Sequence, residues 1–285
     1  MTRLAEWWSG GSTIEVDGHA IFTQVEGSGP TVVFLHGFPT SSHDWAGVIA
    51  SLRDCYRCVT FDYLGYGASE KPTDADYSAL LQTDRALAIL ASLGVTEADV
   101  VAHDLGGILL QDILHRQFGG RLELGLRQAI FMNSSVYAGL YRPSPAQLAL
   151  ADPVQGPMIA QSISRTTLED AMAPLFPSRQ LAAPELDDMW DAIRRANGQL
   201  LWPQHLVYMA ERSRLSRQWE ATLSRTSIKL GFVYGAADPI SGGAIIERAS
   251  AELPNARVTA LADLGHFPQL ERPDEVADAL AELLG

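Results

Sequence analysis

The residues with the plainest chemical capacity stand where apolar runs stop. Val100-Val101-Ala102-His103 leads directly into Asp104, and Leu105-Gly106-Gly107 follows at once. The apolar run predicts a buried strand, and a helical pattern from Ile108 to Phe118 places apolar residues at 109, 110, 113 and 114. The carboxylate therefore falls at a strand-to-helix turn. The pattern small-x-nucleophile-x-small-small describes an elbow that strains its central residue and lifts that side chain into the cleft beyond the strand ends. There the Leu105 amide and the following helix N-terminus can face a reacting oxygen. Serine at the centre would suggest an esterase; aspartate makes the nucleophile a carboxylate. The simpler use of Asp104 is as a helix cap.

Three other segments carry the same logic. His36-Gly37-Phe38-Pro39 follows the apolar run Thr31–Leu35, so the Phe38 amide can supply a second oxyanion donor. Gly235-Ala236-Ala237-Asp238-Pro239 puts an acid at another strand's end, and Leu264-Gly265-His266-Phe267-Pro268 puts a histidine after the last strand. Nucleophile, then acid, then histidine is the chain order of α/β-hydrolases.

The elements that must hold these residues are legible as further apolar runs at Arg57–Phe61, Gln128–Met132, Ile228–Tyr234 and Arg257–Leu261. Thr13–Glu26 alternates partially around Asp17-Gly18, a hairpin signal. Helical patterns cover Ser78–Leu93, Ile108–Phe118 and Pro273–Leu284. Alternating buried strands and helices predict an α/β fold: a mostly parallel twisted sheet with helices on both faces, after an antiparallel start. Between about 134 and 222 the alternation stops, and that segment holds eight prolines, four of the six methionines and three of the six tryptophans. The expected organisation is a core of residues 1–133 and 223–285 with a helical cap of residues 134–222 inserted in it.

Composition sets outer limits. With 47% hydrophobic and 19% charged residues the chain can bury a sizeable core. A formal charge of −13 argues against sequence-independent nucleic-acid binding, which needs a basic surface. No window approaches the ~20 apolar residues of a membrane span, and the first residues lack a signal-peptide core, so the expected location is cytoplasmic. Cys55 and Cys58 form a C-x-x-C that runs into a strand rather than opening a helix, and read as ordinary thiols. No histidine pair has metal-ligand spacing, and the glycines lack a dinucleotide fingerprint, so neither metal nor cofactor is expected.

The sequence resembles the aspartate-nucleophile branch of the α/β-hydrolase superfamily, which includes epoxide hydrolases and haloalkane dehalogenases. A closer likeness is to the mesoderm-specific transcript homologue group. It is carried by His36–Trp45, by Asp62-Tyr-Leu-Gly-Tyr-Gly-Ala-Ser-Glu-Lys-Pro72, by the His103-Asp104 elbow, by Met189–Gly198 and by His266–Glu271. The resemblance implies a core sheet, a helical cap and a site between them. It also implies that departures matter. Haloalkane dehalogenases place a tryptophan beside the nucleophile and fluoroacetate dehalogenases an arginine; this chain has Leu105. Asparagine often follows the His-Gly pair in the former, where this chain has Phe38. Epoxide hydrolases use cap phenols as ring-opening acids, and Tyr208 occupies the position of the later one. Its earlier counterpart is not identifiable, since Pro153–Arg165 contains no tyrosine; Tyr137 and Tyr141 lie nearby in sequence.

The expectation is an epoxide hydrolase that forms a diol through a covalent ester. Asp104 is the nucleophile, His266 the base, Asp238 its orienter, Tyr208 the acid, and Phe38 and Leu105 the oxyanion donors. His36, Trp45, His103, Tyr137 and Tyr141 are the expected substrate contacts, with structural hydrogen bonding as the blander alternative for His103 and loop ordering for Trp45. The partner would be a small apolar substrate, with a homodimer left open as the assembly. The rivals are a dehalogenase with unusual halide donors, an ester or lactone hydrolase, and a ligand-binding protein with little turnover.

Overall fold

Eight strands form one sheet in the order β1-β2-β4-β3-β5-β6-β7-β8. The computed structural model describes residues 3–285. The strands are β1 Ser12–Val16, β2 His19–Glu26, β3 Thr31–Leu35, β4 Arg57–Phe61, β5 Glu97–His103, β6 Gly125–Met132, β7 Lys229–Gly235 and β8 Arg257–Leu261. β1 and β2 are an antiparallel hairpin, closed by Asp17 and Gly18 at φ 55° and 76°, as a two-residue primed turn requires. β2 meets β4 antiparallel, and every pairing from β4 to β8 is parallel.

Two hydrophobic layers follow from the pleat. In β3, Val33 and Leu35 face one side with Val59, Val100 and Ala102, while Val32 and Phe34 face the other with Val101, Ile130 and Met132. The first layer is covered by α3 (Ala79–Ser92) and α4 (Leu105–Phe118), the second by α2 (Ala46–Leu52) and α13 (Pro273–Leu284). The central strands therefore read as continuous apolar runs because both faces are buried.

Outside the segment between β6 and β7, four α-helices had no counterpart in the pattern read from sequence: α1 (Arg3–Gly10), α2, α11 (Gly243–Glu252) and α12 (Pro268–Glu271). Between β6 and β7 the described chain contains no strand; it builds α5 (Pro145–Ala151), α6 (Gly156–Ser162), α7 (Arg165–Met172), α8 (Ala183–Arg194), α9 (Trp202–His205) and α10 (Tyr208–Leu223). α10 lies along α4, which brings its first turn over the carboxyl ends of β3 and β5. A short helix α12 (Pro268–Glu271) then links the last strand's loop to α13.

Candidate active site

Asp104 joins β5 to α4 with φ 46° and ψ −109°. A non-glycine residue held there costs on the order of 1–3 kcal/mol, so the surroundings must over-determine it. They do so at the backbone. The Asp104 amide donates to the Met132 carbonyl (3.2 Å), and its own carbonyl accepts from Ser134 Oγ (2.8 Å) and the Gly107 amide (3.0 Å). The two glycines answer a close approach. A Cβ on Gly106 would lie 2.6 Å from the Leu35 carbonyl oxygen, and one on Gly107 would lie 2.0 Å from Ser134 Oγ. Gly37 is equally constrained, because a Cβ there would sit 2.8 Å from Asp104 Cβ.

The Asp104 carboxylate does not cap α4. Instead the Phe38 amide donates to its Oδ2 at 3.0 Å. The other oxygen, Oδ1, lies 3.8 Å from His266 Nε2. His266 Nδ1 donates to Asp238 Oδ2 at 2.8 Å, which leaves Nε2 free to face Asp104. Asp238 is held in turn by Asn133 Nδ2 (2.9 Å), Ser241 Oγ (2.7 Å) and the Ile240 amide (2.7 Å). All of these groups are sealed from solvent: Asp104 is 6%, His266 2% and Asp238 7% exposed.

The electrostatics follow from that enclosure. Burial works against the charged imidazolium of His266, but the carboxylates of Asp238, Asp104 and Asp44 outweigh it and raise its pKa above the ordinary histidine value. Burial also works against the Asp238 carboxylate, yet His266, Asn133 and Ser241 hold its pKa well below the usual range. His103 behaves oppositely. Burial, reinforced by neighbouring His266, lowers its pKa to about 4. It is therefore neutral, and its Nε2 donates to the His266 carbonyl at 2.7 Å, supporting the histidine loop from behind.

The segment between β6 and β7 brings two phenols and a guanidinium. Tyr208 opens α10, is 1% exposed, and packs its ring 6.4 Å from that of Phe38. Tyr141 lies beside it, and the Arg212 guanidinium sits 3.9 Å from the Tyr141 ring centre and 5.4 Å from that of Tyr208. Burial raises the Tyr208 hydroxyl's pKa well above its ordinary value, and Tyr141 and Asp104 push it further in the same direction. Burial raises that of Tyr141 as well. Both phenols keep their protons at neutral pH and can donate them.

The structure thus assembles Asp104, Phe38, Leu105, His266, Asp238, Tyr208, Tyr141 and His103 in one place. Three expected contacts lie elsewhere. The Tyr137 ring packs under the Arg248 guanidinium at 4.1 Å, in the field of Glu252 and Glu220 rather than of Asp104. Trp45 belongs to the opposite layer, tilted against Phe34 at 5.1 Å, because the chain has already turned toward α2 there. His36 stacks on Tyr63 at 4.0 Å, accepts from the Tyr63 amide on Nε2 and donates from Nδ1 to the Gly37 carbonyl, so it braces the loop from below. Asn133 and Ser241 were missed from sequence. Asn133 was findable, since it too is a polar residue ending an apolar strand, with φ 38°. Among the described residues no cluster of three His, Cys, Asp or Glu could hold a metal ion, and no helix is long and apolar enough to cross a membrane.

Comparison with known proteins bears on the family and the fold. The model of the alpha/beta hydrolase family matches residues 32–279. The human mesoderm-specific transcript homolog protein is 33% identical over 282 residues, covering 95% of this chain and 84% of its own length. Haloalkane dehalogenase 2 of Mycobacterium tuberculosis is 27% identical over 265 residues, covering 91% of this chain and 90% of its own. The structure of an epoxide hydrolase, CorEH, superposes with a TM-score of 0.78 at 18% identity over 95% of this chain and 97% of its own. Strand order, elbow and family match agree, and the chain belongs to the alpha/beta hydrolase family.

Proposed function

We propose that this protein is an epoxide hydrolase acting through an alkyl ester on Asp104, with residues 134–222 as the cap over the site. The observation that carries the reading is the split environment of the Asp104 carboxylate: Oδ2 held by the Phe38 amide at 3.0 Å, Oδ1 unbonded and 3.8 Å from His266 Nε2. Oδ1 is the oxygen free to attack carbon. Oδ2 then becomes the ester carbonyl oxygen, already seated on an oxyanion donor, with the Leu105 amide as the second.

In the first step Oδ1 bonds to a ring carbon, that carbon's bond to oxygen breaks, and the departing alkoxide takes the Tyr208 proton. Tyr141 is the second phenol, beside the same oxygen. In the next step His266 Nε2 takes a proton from water and the hydroxide adds to Asp104 Cγ. Collapse expels the diol oxygen, which receives the proton from His266. The Asp104 acid left behind returns its proton to the tyrosinate, so both carboxylate and phenol are restored. Asp238 keeps Nδ1 protonated throughout, which leaves Nε2 as the base.

Two features favour an epoxide over a halide. Leu105 has no donor side chain beside the nucleophile, while two protonated phenols face it from the cap. The likeness to haloalkane dehalogenase 2 keeps dehalogenation as the second reading. The test is His266→Gln incubated with styrene oxide and, separately, with 1-bromohexane, followed by intact mass and peptide mapping. The expected result is a stable epoxide adduct on Asp104. An adduct formed only by the bromide would favour dehalogenation. No adduct from either, or turnover unaffected by the substitution, would reject the mechanism.

A further inference from the structure

One group above the site is left with nothing to neutralise it. Arg212 is 3% exposed, yet among the described residues no acid pairs with it, and the one side chain that offers it a hydrogen bond is the uncharged Tyr141 hydroxyl. Otherwise it lies against the rings of Tyr141 and Tyr208, which bring it no counter-charge. Other arginines of this chain behave differently although they are more exposed. Arg116 meets Asp112 at 2.7 Å and Arg127 meets Asp99 at 2.5 Å. A buried charge without an opposite charge is destabilising, and a ligand that supplies one would complete it.

Its position says which ligand. Arg212 stands four residues after Tyr208 on α10, so the two side chains rise from the same face of the helix. Tyr208 in turn packs against Phe38, whose amide holds Asp104. A molecule lying over Asp104 and beside Tyr208 would therefore bring its far end to the guanidinium. The planar fork of donors matches a carboxylate, which can accept two parallel hydrogen bonds. The same charge would offset the repulsion between an anionic substrate and an anionic nucleophile.

We infer that the substrate is an acid: an apolar molecule carrying a carboxylate that Arg212 binds, with its reactive carbon delivered to Asp104. This rests on the reading of Asp104 as the nucleophile. Arg212 is then the residue that distinguishes an epoxide bearing an acid from its neutral counterpart.

Binding separates this inference from the chemistry. A series of ω-phenylalkanoates from phenylacetate to 6-phenylhexanoate, each paired with its primary amide, is titrated calorimetrically into wild type, Arg212→Met, Arg212→Lys and Asp104→Asn. At least one acid should bind wild type ten times or more tightly than its amide. Arg212→Met should abolish the preference, Arg212→Lys should keep part of it, and Asp104→Asn should keep or strengthen it. Arg212→Met should melt no lower than wild type, since it removes an unpaired buried charge; if it does not fold, Arg212→Lys decides. Equal binding of acids and amides to wild type throughout the series, or an unchanged preference without the guanidinium, overturns the proposal. Failure of the His266→Gln adduct with the acid preference intact would instead count against the role of Asp104 alone.

Discussion

Oδ1 and Oδ2 of Asp104 have different neighbours, and at the scale of single residues that difference sets the expected consequences of substitution. Tyr208→Phe removes the proton donor while keeping the ring against Phe38. It should lower kcat for epoxide opening by about a hundredfold or more, the usual worth of a positioned acid, with the melting temperature nearly unchanged. Tyr141→Phe should cost less, and stopped-flow measurement of ester formation should place both losses in the first step. Equal rates in all three proteins would remove the phenols from the reaction. Asp104, Phe38, Asp238 and His266 were legible in the sequence because each ends an apolar run, where a strand must surface. Tyr141 was not separable from Tyr137, since only the fold decides that one ring turns toward Asp104 and the other toward Arg248. Trp45 misled because its segment looks like an extension of the His-Gly-Phe-Pro loop, whereas the chain there is already descending into the opposite layer.

At the scale of elements, the elbow depends on how closely α4 can approach β3 and the loop after β6. Gly107→Ala puts a methyl group 2.0 Å from Ser134 Oγ, so it should destabilise the fold by about 1–3 kcal/mol. Adding Ser134→Gly should recover part of that loss, and chemical denaturation of the single and double variants would measure the coupling. Additive losses would show that the two residues do not meet. This closeness also explains a boundary error. The helical pattern was read from Ile108, where its apolar spacing starts; the helix begins at Leu105, and the missing side chains of Gly106 and Gly107 let its first turn pack against Leu35 and Ser134. Between β6 and β7 the prolines are compatible with the helical insertion that was expected there: Pro145, Pro157, Pro184 and Pro203 each stand in the first turn of a helix, where no amide hydrogen is needed. The parallel strands were the easiest part to read, since burial on both faces leaves an unbroken apolar run.

At the scale of the whole molecule, three separate loops bring carboxyl groups to His266: Asp104 after β5, Asp238 after β7, and Asp44 after β3, whose own pKa burial pushes up to about 7. Their sum raises the imidazole's pKa, and the proposed base must be unprotonated to act. Activity should therefore fall as pH drops through a value above the ordinary ~6.5. Asp238→Asn should move that limb toward lower pH as well as reduce kcat, and a pH–rate profile of deacylation checks both. A limb that stays in place would mean that another group titrates. The histidine's own anchorage has a further consequence. The His266 amide donates to the Leu175 carbonyl at 3.0 Å, and Phe176 stacks on Phe267 at 5.3 Å. This flank of the roof is thus riveted to the loop that bears the imidazole. In the proposed mechanism, lifting it would draw His266 away from Asp104, so a doorway on that flank and the water-splitting step would exclude each other. On that proposal substrate is expected to enter by another side, with Leu175 and Phe176 serving as the stationary jamb.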